Sequence, residues 1–159
     1  MKTTYSFRSV RRPIPNRKLL HRAMADAARL AGLPTEGDWE FRIWFLDDEA
    51  MAQAHVDIMD VPGTTDVITM AYLEEPEALF PGDMGLELLI CVPFAEREGS
   101  ERQDSSFADE MVLYMVHGCL HAAGEDDLTD EARPSMRRRE AEVMSELRKK
   151  YVFSEIFPS

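Results

Sequence analysis

Cysteine and long hydrophobic runs are the most informative absences in this chain. Two cysteines among 159 residues are too few for a disulfide scaffold, so free thiols in a reducing compartment are the simplest interpretation. No run approaches the ~18 consecutive apolar residues of a membrane span, and the polar, basic start lacks the pattern of a signal peptide. We therefore expect a cytoplasmic protein without a membrane partner.

Positive charge is also scarce, and it is unevenly distributed. Eighteen Lys and Arg residues face 30 Asp and Glu residues, for a formal net charge of −12. Eight of the basic residues precede Leu30 and seven follow Glu131, whereas the middle of the chain holds 25 acids and three arginines. The net charge argues against a nucleic-acid partner, but the basic ends leave two interpretations open. They are either ordinary solvated surfaces or one basic surface beside an acidic, metal-attracting middle.

Composition and periodicity predict one globular domain over residues 1–159. The hydrophobic pattern predicts four strands, at residues 3–10, 39–46, 65–72 and 84–92. It predicts five helices, at residues 17–30, 49–57, 93–98, 107–123 and 130–151. Residues 74–81, with two prolines, are expected to form a loop. This order is typical of an α+β or mixed α/β domain and does not fix the order of the strands.

Histidine is rare as well, and two of the four histidines stand four residues apart. His117 and His121 share one face of the predicted fourth helix, because four residues advance about 400° around it. At this spacing two imidazoles can reach one metal ion. Cys119 projects about 200° away from each histidine, into the apolar stripe, so it is excluded as a ligand. Gly124 favours a left-handed helix end that brings the following loop back toward the histidines.

That acidic loop supplies the third candidate ligand. Glu125, Asp126 and Asp127 are adjacent, and the helical zinc pattern His-x3-His-x5-ligand selects Asp127. Two imidazoles and one carboxylate form a catalytic type of zinc site, with one coordination position open to water. The carboxylate slightly favours harder ions, so another divalent metal is an alternative to Zn²⁺.

The histidine pair is compatible with two alternatives to this hydrolytic metal site. In the first, the two histidines are partly buried, satisfied by hydrogen bonds, and hold no metal. The second is a metallopeptidase, which needs Glu directly after the first histidine as its general base, and Gly118 occupies that position. The residues therefore favour a metal-dependent hydrolase of another kind.

At the same histidines the chain resembles the YbeY family of bacterial endoribonucleases, which act in small-subunit ribosomal RNA maturation and ribosome quality control. The family motif is His-Gly-x-Leu-His-Leu-x-Gly-Tyr-Asp-His, and the matching residues are His117, Gly118, Leu120, His121, Gly124 and Asp126. Residues 65–70 are similar to the family's Thr-Asp-Val-Leu-Ser-Phe segment, and residues 82–84 to its Gly-Asp-Ile segment. These blocks occur in the family's order and spacing along nearly the whole chain.

The resemblance implies a fold and a function. We expect an α+β domain in which a small, mixed, four-stranded sheet packs with about five helices. We further expect a metal-dependent single-strand endoribonuclease, with ribosomal RNA as substrate and the small ribosomal subunit as partner. Its one Zn²⁺ ion is expected at His117, His121 and Asp127. No catalytic residue is assigned.

Two departures from the family pattern bear on the chemistry. Asp127 stands where the family has a third histidine, and Met59 stands where it usually has an arginine implicated in RNA contact or cleavage. Two alternatives therefore stay open. One is a ribosome-associated factor that keeps the metal and does not cleave, and the other is a metallohydrolase of another substrate.

Further polar residues could assist either activity. Side chains that could contact phosphates are Arg8, Arg11, Arg12, Arg17, Lys18, Arg137, Arg138 and Arg139. Asp66 could orient a histidine or act as a base, or it could simply end a strand as a turn residue. Glu110 lies on the same helix line as His117 and has the same functional options, with a helix salt bridge as the alternative.

Overall fold

The computed structural model describes residues 1–12, 14–73 and 82–159, so the loop expected at residues 74–81 lies outside the described residues. The strands are β1 (Lys2–Arg8), β2 (Trp39–Leu46), β3 (Val67–Ala71) and β4 (Asp83–Cys91). The helices are α1 (Arg17–Ala31), α2 (Asp48–Met59), α3 (Val92–Glu101), α4 (Phe107–Ala122), α5 (Ala132–Lys150) and α6 (Phe153–Ile156). The predicted α+β class is confirmed. The single turn α6 was not predicted, because four residues are too few for periodicity to reveal.

The four strands form one mixed sheet in the order β1-β2-β4-β3. β1, β2 and β4 run parallel, and β3 pairs antiparallel with β4. Strict alternation along β2 creates two unlike faces. The inner face carries residues that are at most 2% exposed, namely Trp39, Phe41, Ile43 and Phe45. The outer face carries the half-buried Arg42 and Trp44.

Two cores of different size cover these faces. The main core unites the inner face with α1, α4, α5 and α6. In α4 the predicted apolar stripe is buried throughout, namely Ala108, Met111, Val112, Met115, Val116, Cys119 and Leu120. On the outer face α2 covers one end of the sheet, where the smaller core consists of Leu46, Met51, Ile68, Leu89 and Cys91. No helix among the described residues combines the length and hydrophobicity needed to cross a bilayer.

A serine cap begins α4, and a left-handed glycine follows its end. Ser106 caps the first turn, since its hydroxyl accepts a hydrogen bond from the Asp109 amide at 3.1 Å. At the other end Gly124 adopts φ +104°, a left-handed conformation. The Glu125 amide then donates to the Leu120 carbonyl at 3.0 Å, which closes the helix and turns the chain back. The loop that follows therefore returns along the last turn of α4.

Gly118 is where α4 approaches the sheet most closely. A Cβ atom at this position would lie 2.4 Å from Cδ2 of Leu88, a buried residue of β4. The glycine between the two histidines is therefore needed for the helix to pack at its observed distance from β4.

We predict that Gly118→Ala lowers the free energy of unfolding by about 1–3 kcal/mol, as overpacking of a core usually does. Helix propensity alone would favour Ala by about 0.5–1 kcal/mol, so destabilisation can be assigned to the contact. Urea unfolding measures the change, and the double variant with Leu88→Ala serves as the control. Additive losses in the double variant would contradict this account, since removing the Leu88 side chain should relieve the clash.

Candidate metal centre

Three side chains from α4 and the following loop converge on one point. The Nε2 atoms of His117 and His121 are 2.9 Å apart. Each lies 3.7 Å from a carboxylate oxygen of Asp127. Two atoms bound to one zinc ion at about 2.0–2.2 Å can be at most about 4.4 Å apart, so all three distances suit a shared ion. Among the described residues this trio is the one His, Cys, Asp and Glu group of metal-binding geometry.

The other ring nitrogen of each histidine, Nδ1, lies within hydrogen-bond distance of an acceptor oxygen. Nδ1 of His117 lies 3.0 Å from Oε2 of Glu140 on α5. Nδ1 of His121 lies 3.0 Å from the backbone carbonyl oxygen of Glu125. A carbonyl cannot donate and an ionised carboxylate only accepts, so each Nδ1 must carry the proton. In the neutral rings both Nε2 lone pairs then face each other and Asp127, an arrangement that a cation between them would stabilise.

The electrostatic field at this point favours positive charge. Burial of the ring lowers the pKa of His117, but the hydrogen bond and negative charge of Glu140 raise it more. Asp127 and Asp66 add to the rise, so the pKa of His117 lies above its ordinary value. A field that holds a proton on an imidazole also attracts a metal ion. The donor set and its charge therefore fit a divalent cation.

The structure separates the three neighbouring acids by role. Asp127 converges with the histidines, and its side chain is 41% exposed, so the centre is open to solvent on that side. Asp126 instead accepts a hydrogen bond from the Leu128 amide at 3.1 Å. Glu125 contributes its backbone carbonyl to His121. Cys119 is fully buried away from the centre, and burial raises the pKa of its thiol.

Glu140 was not found from the sequence. It lies on another helix, 23 residues from His117, where no local spacing connects the two. The orienting contact considered for Asp66 is thus made by Glu140. Asp66 uses Oδ1 to accept hydrogen bonds from the Val67 amide at 2.7 Å and the Thr65 hydroxyl at 3.3 Å, as a turn residue does. It acts on His117 through its charge.

Glu110 does not join the histidines, although it occupies the same helix line. Its side chain is 3% exposed, and it accepts a hydrogen bond from the Ser105 hydroxyl at 2.8 Å. Nη1 of Arg102 is 3.9 Å from the same carboxylate, across the turn that precedes α4. These contacts give Glu110 a structural role at the start of the helix.

The basic ends of the chain meet in the fold, and part of their charge is neutralised there. Lys150 pairs with Asp26 at 2.8 Å, and Arg139 donates to the Leu30 carbonyl at 2.9 Å, so α5 is tied to α1. Arg139 also pairs with Glu142 at 2.8 Å. Within the part of the chain that the structure describes, several exposed candidates make no ion pair, namely Arg8, Arg11, Arg12, Arg17, Lys18 and Arg137. Met59, the last residue of α2, is 55% exposed.

Most of the chain matches a known protein family. The sequence profile of the family described as Endoribonuclease YbeY matches residues 8–148. A protein of that name from Chlamydia felis is 38% identical over 111 residues, which cover 69% of this chain and 70% of the relative. Another from Halalkalibacterium halodurans is 31% identical over 137 residues, covering 81% and 82%.

A solved structure shares the fold of this chain. The solution structure of a Thermotoga maritima protein superposes with a TM-score of 0.59 at 19% identity, covering 94% of this chain and 93% of that one. At this identity the similarity supports the fold alone, whereas the profile match and the sequence relatives span most of the chain. The chain therefore belongs to the Endoribonuclease YbeY family.

Proposed function

We propose that this protein is a metal-dependent endoribonuclease that cleaves single-stranded ribosomal RNA during maturation of the small ribosomal subunit. The observation that carries the proposal is the convergence of two imidazole Nε2 atoms and one carboxylate at a solvent-open point. The names of the family relatives supply the reaction class and RNA as the substrate. Residues 1–159 would act as a single domain in the cytoplasm, with the small subunit as partner.

The ligands of the proposed centre are His117, His121 and Asp127, with Zn²⁺ as the expected ion. A divalent ion bound there would supply Lewis acidity and neutralise charge that develops on a phosphodiester. Glu140 and the Glu125 carbonyl hold the two imidazoles in the tautomer that ligation needs. Exposed arginines outside the centre would position the RNA backbone by contacting its phosphates.

A ribosome-associated factor that binds metal and RNA without cleaving is the second candidate. Met59 favours it, because an exposed methionine replaces the arginine of the family pattern and brings no positive charge to the phosphate. A metallohydrolase of another substrate is the third candidate, and the same three ligands would serve it. Cleavage assays separate the three.

The metal ligands can be tested one by one. We predict that His117→Ala and His121→Ala each abolish stoichiometric zinc binding, measured by elemental analysis of the purified variants. Asp127→Ala should weaken zinc affinity more than Asp126→Ala, because only the Asp127 carboxylate faces the two Nε2 atoms. Full occupancy in either histidine variant, or a larger loss in Asp126→Ala, would show that the ligand set is wrong.

Glu140 can be tested with a pair of substitutions. We predict that Glu140→Ala reduces zinc affinity by about 10–100-fold, the usual effect of removing the acceptor behind a ligating histidine. Glu140→Gln should lose less, because its amide oxygen can still accept the Nδ1 proton. Calorimetric zinc titration measures both variants. Glu142→Gln on the same helix is the control, and an equal loss there would contradict a specific role for Glu140.

The proposed activity predicts metal-dependent cleavage of single-stranded RNA. The zinc-loaded protein should cut a single-stranded RNA and leave a duplex and a peptide substrate intact, and a chelator or His117→Ala should abolish cutting. RNA binding should weaken as salt rises, since phosphate contacts release counterions. Metal-dependent RNA binding without cutting would favour the non-cleaving factor, and peptide cleavage would favour the third candidate.

A further inference from the structure

The outer face of the sheet carries a groove that the metal centre does not use. It lies between α2 and the sheet and has a volume of about 350 Å³. We name it the Trp44 groove, after the residue at its edge. The sheet lines it with the apolar Leu89 and with Trp44 and Arg8, and α2 lines it with the polar Gln53 and Asp57. The proposed metal ligands lie on α4 and in the loop after it, and α4 packs against the opposite face of the sheet.

Trp44 is held in a fixed orientation. Its indole Nε1 donates to Oε1 of Glu87 at 2.6 Å, across from β2 to β4. The Arg42 guanidinium lies 5.4 Å from the ring centre and is itself fixed by Glu40, 2.9 Å from Nη2. Ser6 accepts a further hydrogen bond from Arg42 at 3.3 Å. An aromatic ring that is already ordered and only half-buried loses little conformational entropy when a second ring stacks on it.

Arg8 differs from Arg42 in having no ion-pair partner among the described residues. Its guanidinium lies over the Trp44 ring, with its carbon 5.3 Å from the ring centre, so a base that stacks on that side must move it aside. Arg8 is the last residue of β1, and the exposed Arg11 and Arg12 follow it in the chain. The mouth of the groove therefore carries a cation available to an anionic ligand.

The interior of the groove has the opposite charge. Glu87 and Asp57 both line it, and Asp57 accepts a hydrogen bond from Gln53 at 2.8 Å. A phosphate inside would meet two carboxylates, and an aliphatic segment would offer no hydrogen-bond donor to their remaining lone pairs. A neutral planar ring with hydrogen-bonding edges suits both the apolar and the polar residues that line the groove. A phosphate attached to such a ring could remain outside, beside Arg8.

We propose that the Trp44 groove binds one unpaired base of a single-stranded RNA, with the adjoining phosphate at Arg8. The proposal rests on the proposed function for its choice of RNA as ligand. Stacking on an ordered aromatic ring with an arginine nearby is the usual basis of sequence-tolerant single-strand binding. The groove holds the RNA at a second point, on the face of the sheet away from the metal centre.

Intrinsic fluorescence provides a direct test. Trp39, the other tryptophan, is 2% exposed inside the main core, so quenching by a stacked base must arise from Trp44. The zinc-loaded full chain is titrated with a 2′-O-methylated single-stranded oligoribonucleotide, which resists cleavage, and with the same sequence as a duplex. The single strand should quench and saturate, and the duplex should not.

Variants assign the signal to the groove. Trp44→Leu should weaken oligonucleotide affinity about tenfold or more in fluorescence anisotropy, the scale of one stacked base. Trp44→Phe should retain most of it, and Arg8→Ala should reduce both the affinity and its salt dependence. Lys149→Ala removes an exposed cation on α5 and should change nothing. If Trp44→Leu fails to fold, Trp44→Phe and Arg8→Ala still test the groove.

The outcomes distinguish this proposal from the endoribonuclease proposal. Quenching without cleavage by the wild-type protein would support the groove and reject the nuclease. Cleavage without quenching, or equal affinity in all variants, would overturn the groove and leave the nuclease intact. A fluorescence change that tracks protein concentration, with self-association in sedimentation, would also overturn it, because the groove would then be an interface between copies of this chain.

Discussion

The proposed metal centre depends on two Nε2 atoms, of His117 and His121, that lie 2.9 Å apart. Neutral imidazoles repel in this orientation, so the rest of the structure has to impose it. Glu140 imposes it on His117 from α5, and the Glu125 carbonyl imposes it on His121 from the loop. Asp127 adds negative charge at the same point. Folding thus holds together an electron-rich cluster whose repulsion a cation relieves.

This arrangement connects the centre to the packing of the whole domain. Gly118 allows α4 to sit against Leu88, which sets the position of both histidines relative to β4. α5 must also have one particular rotation and position against α4 for Glu140 to reach His117. Its last turn is tied to α1 through Lys150 and Asp26, and an additional hydrogen bond joins Tyr151 to the same carboxylate. Contacts distant from the proposed ligands therefore help to fix the geometry of those ligands.

The features that could be predicted from the sequence are those encoded by local periodicity and residue spacing. Helical spacing placed His117 and His121 on one face, and Gly124 indicated the left-handed turn that returns the acidic loop. The choice of Asp127 followed from spacing as well, and the structure brings it to the histidines. Glu140 could not be predicted, because its contact joins two helices whose relative rotation is set by the core. The strand order could not be predicted either, because it depends on which distant segments pair in the folded sheet.

The two departures from the family pattern, Asp127 and Met59, both lower the positive charge that the protein can offer to a substrate phosphate. A carboxylate in place of an imidazole makes the ligand set one unit more negative, and Glu140 behind His117 donates further electron density. The exposed Met59 brings no cation to the surface of α2, where the family pattern has an arginine. A substrate phosphate would therefore depend more on arginines elsewhere on the surface. Arg8 lies beside the ordered Trp44 ring and forms no ion pair with a described residue. Binding energy at the Trp44 groove would therefore compensate for the weaker attraction between the RNA and the proposed metal centre.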